Sequence, residues 1–94
     1  MGNIMEKRIV KKSNHTEGYQ RHKLINSVKA SCLGVHDFVG SAELTAKRVC
    51  EHVEQWLESK HEVTSADIRR IAGKSLFKYN PDAAYIYITI NEIN

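Results

Sequence analysis

Six polar side chains crowd residues 11–23: Lys11, Lys12, Glu17, Gln20, Arg21 and Lys23. Cations beside a carboxylate and an amide can hold an anion next to a hydrogen-bonding group. The imbalance extends over residues 1–30, which hold seven Lys and Arg against two Glu, while residues 31–94 hold seven bases and nine acids. The formal net charge of +3 is therefore an N-terminal property. Concentrated positive charge attracts phosphate, whether on a nucleotide or along a nucleic acid. A solvated basic face with no ligand would have the same composition.

Other chemistries lack their residues. His15, His22, His36, His52 and His61 show no H-x-x-x-H or H-E-x-x-H spacing. Cys32 and Cys50 are too few for a disulfide framework or a zinc cage, and at apolar helical positions a thiol reads as a small buried hydrophobe. Neither G-x-x-x-x-G-K-[ST] nor G-x-G-x-x-G occurs. No catalytic set remains, so the chain is expected to bind rather than catalyse, with no metal site of its own.

The elements that must position these residues follow from length and patterning. A chain of 94 residues is long enough for one domain and too short for two. Hydrophobic residues at 41% with 27% charged place it among folded globular chains rather than disordered ones. No apolar run approaches the ~20 residues that span a bilayer, and the N-terminus has no apolar signal core. No membrane association and a cytoplasmic location are expected.

Lys7–Lys12 and Thr16–Gln20 read as short strands around a Ser13-Asn14-His15 turn. From Arg21 the period becomes helical, with Leu24, Ile25, Val28 and Cys32 on one face and Gly34 to stop it. Val35–Gly40 reads as a linker with a buried Phe38. Ser41 is expected to cap a second helix that runs to Ser59, burying Ala46, Val49, Cys50, Val53, Trp56 and Leu57. Its solvated face would be Lys47, Arg48, Glu51, Glu54 and Glu58. Lys60–Val63 bridges to a third helix and could supply one more strand. Thr64 with Asp67 forms a relative of the capping box before Ile68, Ile71, Ala72 and Leu76. Asn80-Pro81 ends that helix and opens another segment. Within it Tyr85–Ile90 alternates with period two, which by pattern narrowly says strand, whereas the preceding Asn-Pro-Asp-Ala-Ala says helix.

Val10-Lys11-Lys12, Glu17, Lys23-Leu24, Val63-Thr64-Ser65-Ala66-Asp67-Ile68 and Ala84-Tyr85-Ile86-Tyr87 stand in the order found in one family. Over residues 8–90 the chain resembles the ATP-cone domain, the nucleotide-binding regulatory domain of ribonucleotide reductases and their transcriptional repressor. The resemblance implies an α+β fold, a small three-stranded β-sheet (hairpin plus a short strand) capping a four-helix bundle. It implies a single domain over residues 7–94 behind a flexible leader, residues 1–6, and makes residues 81–92 a helix against their period-two pattern.

The implied ligand is ATP or dATP, with Mg2+ beside the triphosphate. Lys11 and Lys12 occupy the family's paired basic positions and would contact phosphate oxygens. Glu17 and Gln20 would accept from the exocyclic amine of adenine; the carbonyl of guanine would leave them unpaired, at about 1–3 kcal/mol. Lys23 would serve ribose or phosphate, Tyr19 would pack against the base, and Thr64 with Arg69 would hold an anion at a helix opening. Thr89 departs from the family where many cones carry Arg, and Ser13-Asn14 replaces the usual Asp-Gly turn. Neither a catalytic domain nor a four-cysteine zinc ribbon accompanies these motifs. The implied function is a stand-alone regulatory module that acts as a homo-oligomer or through a regulated partner protein. The alternatives are a nucleic-acid-binding protein using the basic N-terminal third, and a cone without ligand that serves only protein interaction.

Overall fold

The computed structural model describes residues 8–10 and 16–93. In chain order these form β1 (Arg8–Val10), β2 (Thr16–Gly18), α1 (Arg21–Gly34), α2 (Val39–Leu57), β3 (Glu62–Thr64), α3 (Ser65–Tyr79) and α4 (Pro81–Ile93). The expected leader, Lys7, Lys11, Lys12 and the Ser13-Asn14-His15 turn lie outside the described residues.

The spine is α2. Ala42, Ala46, Val49, Val53 and Leu57 recur at helical spacing and are 0% exposed. They form one wall of a core that takes Leu24, Val28 and Cys32 from α1 and Ile68, Ala72 and Leu76 from α3. The helices pack as a ring in which each touches two others, α1 on α2, α2 on α3, α3 on α4 and α4 back on α1. Polar stitches join the outside. Lys29 on α1 pairs with Glu43 on α2 at 3.0 Å, and His52 Nδ1 lies 2.6 Å from Ser75 Oγ on α3.

The strands lie in the order β2-β1-β3, with β1 antiparallel to β2 and parallel to β3. Ile9 stands opposite Val63 in that parallel pair, and both are buried. The expected α+β fold with a capping sheet is corrected. Helices of 14, 19, 15 and 13 residues face strands of three residues each, so the chain is mainly helical. Strands that short send only one or two side chains inward, too little apolar surface to make a layer over a bundle. The core is helix on helix, and the sheet is an edge feature that feeds β3 straight into α3.

Helix ends show where local rules held and where neighbours overrode them. α1 stops at Gly34, yet the left-handed residue is His36, at φ 65. The His36 N–H donates to the Leu33 carbonyl and the Asp37 N–H to the Cys32 carbonyl, the paired bonds of a Schellman motif. Two further expectations are corrected here. Ser41 does not cap α2, because the helix starts at Val39; Asp37 instead accepts from the Phe38 N–H at 2.9 Å and from the Ser41 hydroxyl at 3.3 Å. Phe38, expected to be buried, is 84% exposed, because this early start leaves it outside the bundle. α2 ends at Leu57 rather than Ser59.

α4 is a helix. The Asn80 side chain accepts from the Ala83 N–H at 3.1 Å, and Pro81 takes the first helical position, where a missing N–H costs nothing. Ala83, Ala84 and Tyr87 are buried while Tyr85 is 73% exposed, so the burial follows a helical face and not the period of two.

α3 opens with a reciprocal capping box. The Asp67 N–H donates to Thr64 Oγ1 at 3.0 Å and the Thr64 N–H to Asp67 Oδ2 at 3.1 Å. Those bonds from Thr64 hold the Asp67 carboxyl below the usual aspartate range. Thr64→Ala and Asp67→Asn are each expected to lower stability by about 1 kcal/mol at neutral pH in urea unfolding. The contribution from Asp67 is fully present above the unfolded aspartate pKa of about 3.9 and is lost as pH falls through the lower folded value. The difference between wild type and Asp67→Asn therefore shrinks in acid.

Candidate functional site

Tyr19 and Gln20 link β2 to α1, and what they do sets the site. Tyr19 is 3% exposed, so its hydroxyl must find partners inside the protein. It lies 3.1 Å from Cys50 Sγ and donates to Glu54 Oε2 at 3.0 Å, both on α2. The Cys50 thiol donates to the same oxygen at 3.3 Å, and Arg21 Nε sits 3.5 Å from it. One carboxylate oxygen thus ties the start of α1 to the middle of α2. Burial foremost, then Cys50 and Glu54, push the Tyr19 phenol well above its ordinary range. Burial also raises the Cys50 thiol, so both groups stay protonated as donors.

Gln20 is the N-cap of α1, and its side chain makes no capping bond. Its carbonyl accepts from the Lys23 and Leu24 N–H groups at 3.2 and 3.5 Å, which starts the helix in that direction. Gln20, Lys23 and Ser27 then come to one side of α1, over a cleft of about 150 Å³. Ser65, Ile68 and Arg69 of α3 form the facing wall, Tyr87 of α4 closes one end, and Ile9, Leu24 and the Tyr19 ring supply apolar surface. Burial pushes Tyr87 up to about 12, against the opposing pull of Arg69 and a bond from Ser27. Its phenol therefore stays neutral in the cleft.

Of the residues selected from sequence, Tyr19, Gln20, Lys23 and Arg69 meet at this cleft. Tyr19 does so through its ring, because its hydroxyl is committed to α2. Thr64 is absent from the lining; its hydroxyl serves the capping box, and Ser65 takes the lining position. The Asp67 carboxylate already occupies the positive end of α3. Lys11 and Lys12 lie outside the described residues, and of Glu17 only the backbone is described, paired with Ile9. Glu54, expected on the solvated face of α2, is a part-buried anchor instead.

Sequence reasoning passed over Ser27 and Tyr87. The helical reading of the last segment would have found Tyr87, four residues after buried Ala83; Ser27 gave no signal. Among the described residues no group of three or more His, Cys, Asp or Glu could hold a metal ion, and no helix is long and apolar enough to cross a membrane. A larger concavity lies between α3 and α4, and Arg69 lines both.

Residues 7–93 match the family model described as the ATP cone domain. No curated protein matches the chain.

Tyr19→Phe removes the hydroxyl while keeping the ring in place. It is expected to lower stability by about 1.5–3 kcal/mol, the range for a bond to a charged acceptor, in urea unfolding. Because a less stable domain opens more often, the buried Cys50 should also be labelled faster by a thiol reagent in this variant.

Proposed function

This chain belongs to the ATP-cone family, whose members are nucleotide-binding regulatory domains, and from that premise we propose that it binds ATP or dATP in the cleft between α1 and α3. One observation carries the choice of cleft. Gln20 and Lys23 at the start of α1 and Arg69 on α3 converge on it beside the ring of Tyr19.

The base lies against the Tyr19 ring, with the Gln20 side-chain amide oxygen and Glu17 accepting from the adenine amine. Lys23 and Arg69 take ribose and phosphate oxygens. At about 150 Å³ the cleft is smaller than the ~300 Å³ typical of a whole-ligand pocket. The rest of the triphosphate, with Mg2+ beside it, is assigned to Lys11 and Lys12, the family's paired basic positions. Ser65 contributes a hydroxyl at the start of α3.

Regulation follows by linkage. A nucleotide that prefers one assembly state shifts the population toward it by no more than its differential affinity. The output is self-association or the engagement of a partner protein. The nucleic-acid alternative has no comparable support, since Gln20, Lys23 and Arg69 converge on one small cleft and do not form a continuous strip for a phosphate backbone.

Melting temperature measured across ATP, dATP, ADP and GTP tests this. A ligand at a hundredfold excess over its Kd adds about 2.7 kcal/mol, which corresponds to a rise of about 11–22 °C in a domain of this size. ATP or dATP should give that rise and GTP should not. Arg69→Gln should weaken binding about tenfold, the scale of one charge-assisted bond, and Lys11→Glu with Lys12→Glu should abolish it. A flat response to all four nucleotides refutes the proposal.

A further inference from the structure

The concavity between α3 and α4 has about 740 Å³, several times the volume of the nucleotide cleft. Ala66, Gly73, Phe77 and Ile88 give it an apolar floor. Phe77 is 61% and Ile88 41% exposed, an unusual outlay of apolar surface for two neighbouring residues. Gly73 lets the helices close: a Cβ there would meet Ile88 Cγ1 and Cδ1 at 3.0 Å. Arg69, Arg70, Lys74 and Lys78 line the rim.

Arg70, Lys74 and Lys78 follow one another at i, i+4 and i+8, a row of positive charge about 12 Å long on α3. Arg69, Lys74 and Lys78 are in no ion pair among the described residues, and Arg70 has only Asp67 at 3.8 Å. Asp67 is itself held by the capping box. An apolar floor flanked by a straight cationic row matches an amphipathic helix with apolar anchors on one face and carboxylates beside them. A nucleotide would need its cations gathered around one point, and a nucleic-acid backbone has no use for the exposed Phe77 and Ile88. A second copy of this chain fits poorly. Of the acids of α2, Glu43 is already paired with Lys29 and Glu54 with Tyr19 and Arg21, and no large apolar side chain is exposed between Glu51 and Glu58.

We propose that the α3–α4 groove docks an acidic amphipathic helix of a partner protein. The proposal deepens the regulatory reading by giving the partner's chemistry, and it rests on that reading only through Arg69. This residue lines both concavities, so a triphosphate that engages it withdraws positive charge from the groove.

The test uses the full chain and a fluorescein-labelled helical peptide with Leu at i, i+3, i+4 and i+7 and Glu along the flanks, followed by anisotropy. The acidic peptide should bind saturably and weaken as salt rises, and the same peptide with Lys in place of Glu should not bind. Lys74→Glu with Lys78→Glu should weaken binding at least tenfold while the melting temperature holds. Should that pair unfold, Lys74→Gln with Lys78→Gln should still show a smaller loss in the same direction. ATP should weaken the peptide several-fold, and Arg69→Gln should remove that effect.

Absent or charge-independent peptide binding, or unchanged affinity in both paired variants, overturns the proposal. So does tighter binding of a single-stranded oligonucleotide at the same residues, or a sedimentation-detected dimer that the paired variants dissolve. Peptide affinity is first measured without nucleotide, and the response to each nucleotide is read by melting without peptide. Docking without an ATP response thus refutes the nucleotide reading and supports the groove, and the reverse result refutes the groove alone.

Discussion

Everything that gives the cleft its shape depends on where the hydroxyl of Tyr19 goes. A phenol that is 3% exposed cannot be left unpaired, and its partners, Cys50 and Glu54, sit one helical turn apart on α2. Satisfying it fixes the distance and rotation of the link between β2 and α1. Gln20 follows at the N-cap, Lys23 one turn later and Ser27 one turn after that, so the face of α1 over the cleft is set by a bond made on its far side. Arg21 shares Glu54, which ties the first residue of α1 to the same point. The network is strong because it is complete: one carboxylate oxygen, three groups that approach it, and no buried side-chain polar atom among the described residues without a partner.

The contest over residues 85–90 shows a second constraint of the same kind. Alternating Tyr and Ile would suit a strand with one buried face, and the local preference is real. A strand there would have to add to the outer edge of β2 or β3, each only three residues long, which leaves most of a longer strand's backbone unpaired. As a helix the segment satisfies its own backbone, takes its cap from Asn80, and fits Ala83, Ala84 and Tyr87 into the bundle. The small alanines let α4 approach its neighbours, as Gly73 does from α3. The cost is apolar surface left outside on Tyr85, Ile88 and Ile90. The period-two pattern thus marks the outer face of α4 as unusually apolar.

What could be read from sequence was what a single element decides. The buried stripe of α2, the Thr64–Asp67 box and the break at Asn80-Pro81 depend on residues within one or two turns, and the residues themselves declare them. What escaped depends on distant partners. Glu54 looks solvated by period, and only Tyr19, 35 residues away, makes it an anchor. Phe38 looks buried by type, and the early start of α2 leaves it outside. A left-handed His36 was masked by Gly34, the residue type that usually takes this position, although His is among the non-glycine residues enriched there. The proportion of sheet to helix was misjudged for a related reason, since segments with strand-like residue types form described strands of only three residues each. The candidate site was half legible. The family motifs singled out Tyr19, Gln20, Lys23 and Arg69, but Ser27 and Tyr87 join them only through the packing of α1 against α4.

The two concavities share α3, which bears on how one could influence the other. A helix communicates by moving or by redistributing charge, and α3 is poorly placed to move. Its N-terminus is locked by reciprocal bonds, its middle is held by Ile88 lying against Gly73, and its inner face is packed on α2. Any rotation would open voids in a close-packed core, where a lost contact is costly. Charge has no such obstacle. Consecutive residues on a helix lie about 100° apart, so Arg69 stands at the boundary between the two surfaces while Arg70 belongs to the groove alone. A long, flexible guanidinium at that boundary can serve either side without disturbing the backbone. In this fold, coupling between the cleft and the groove is therefore an electrostatic matter of where one side chain points, and the rigidity of α3 is what confines it to that side chain.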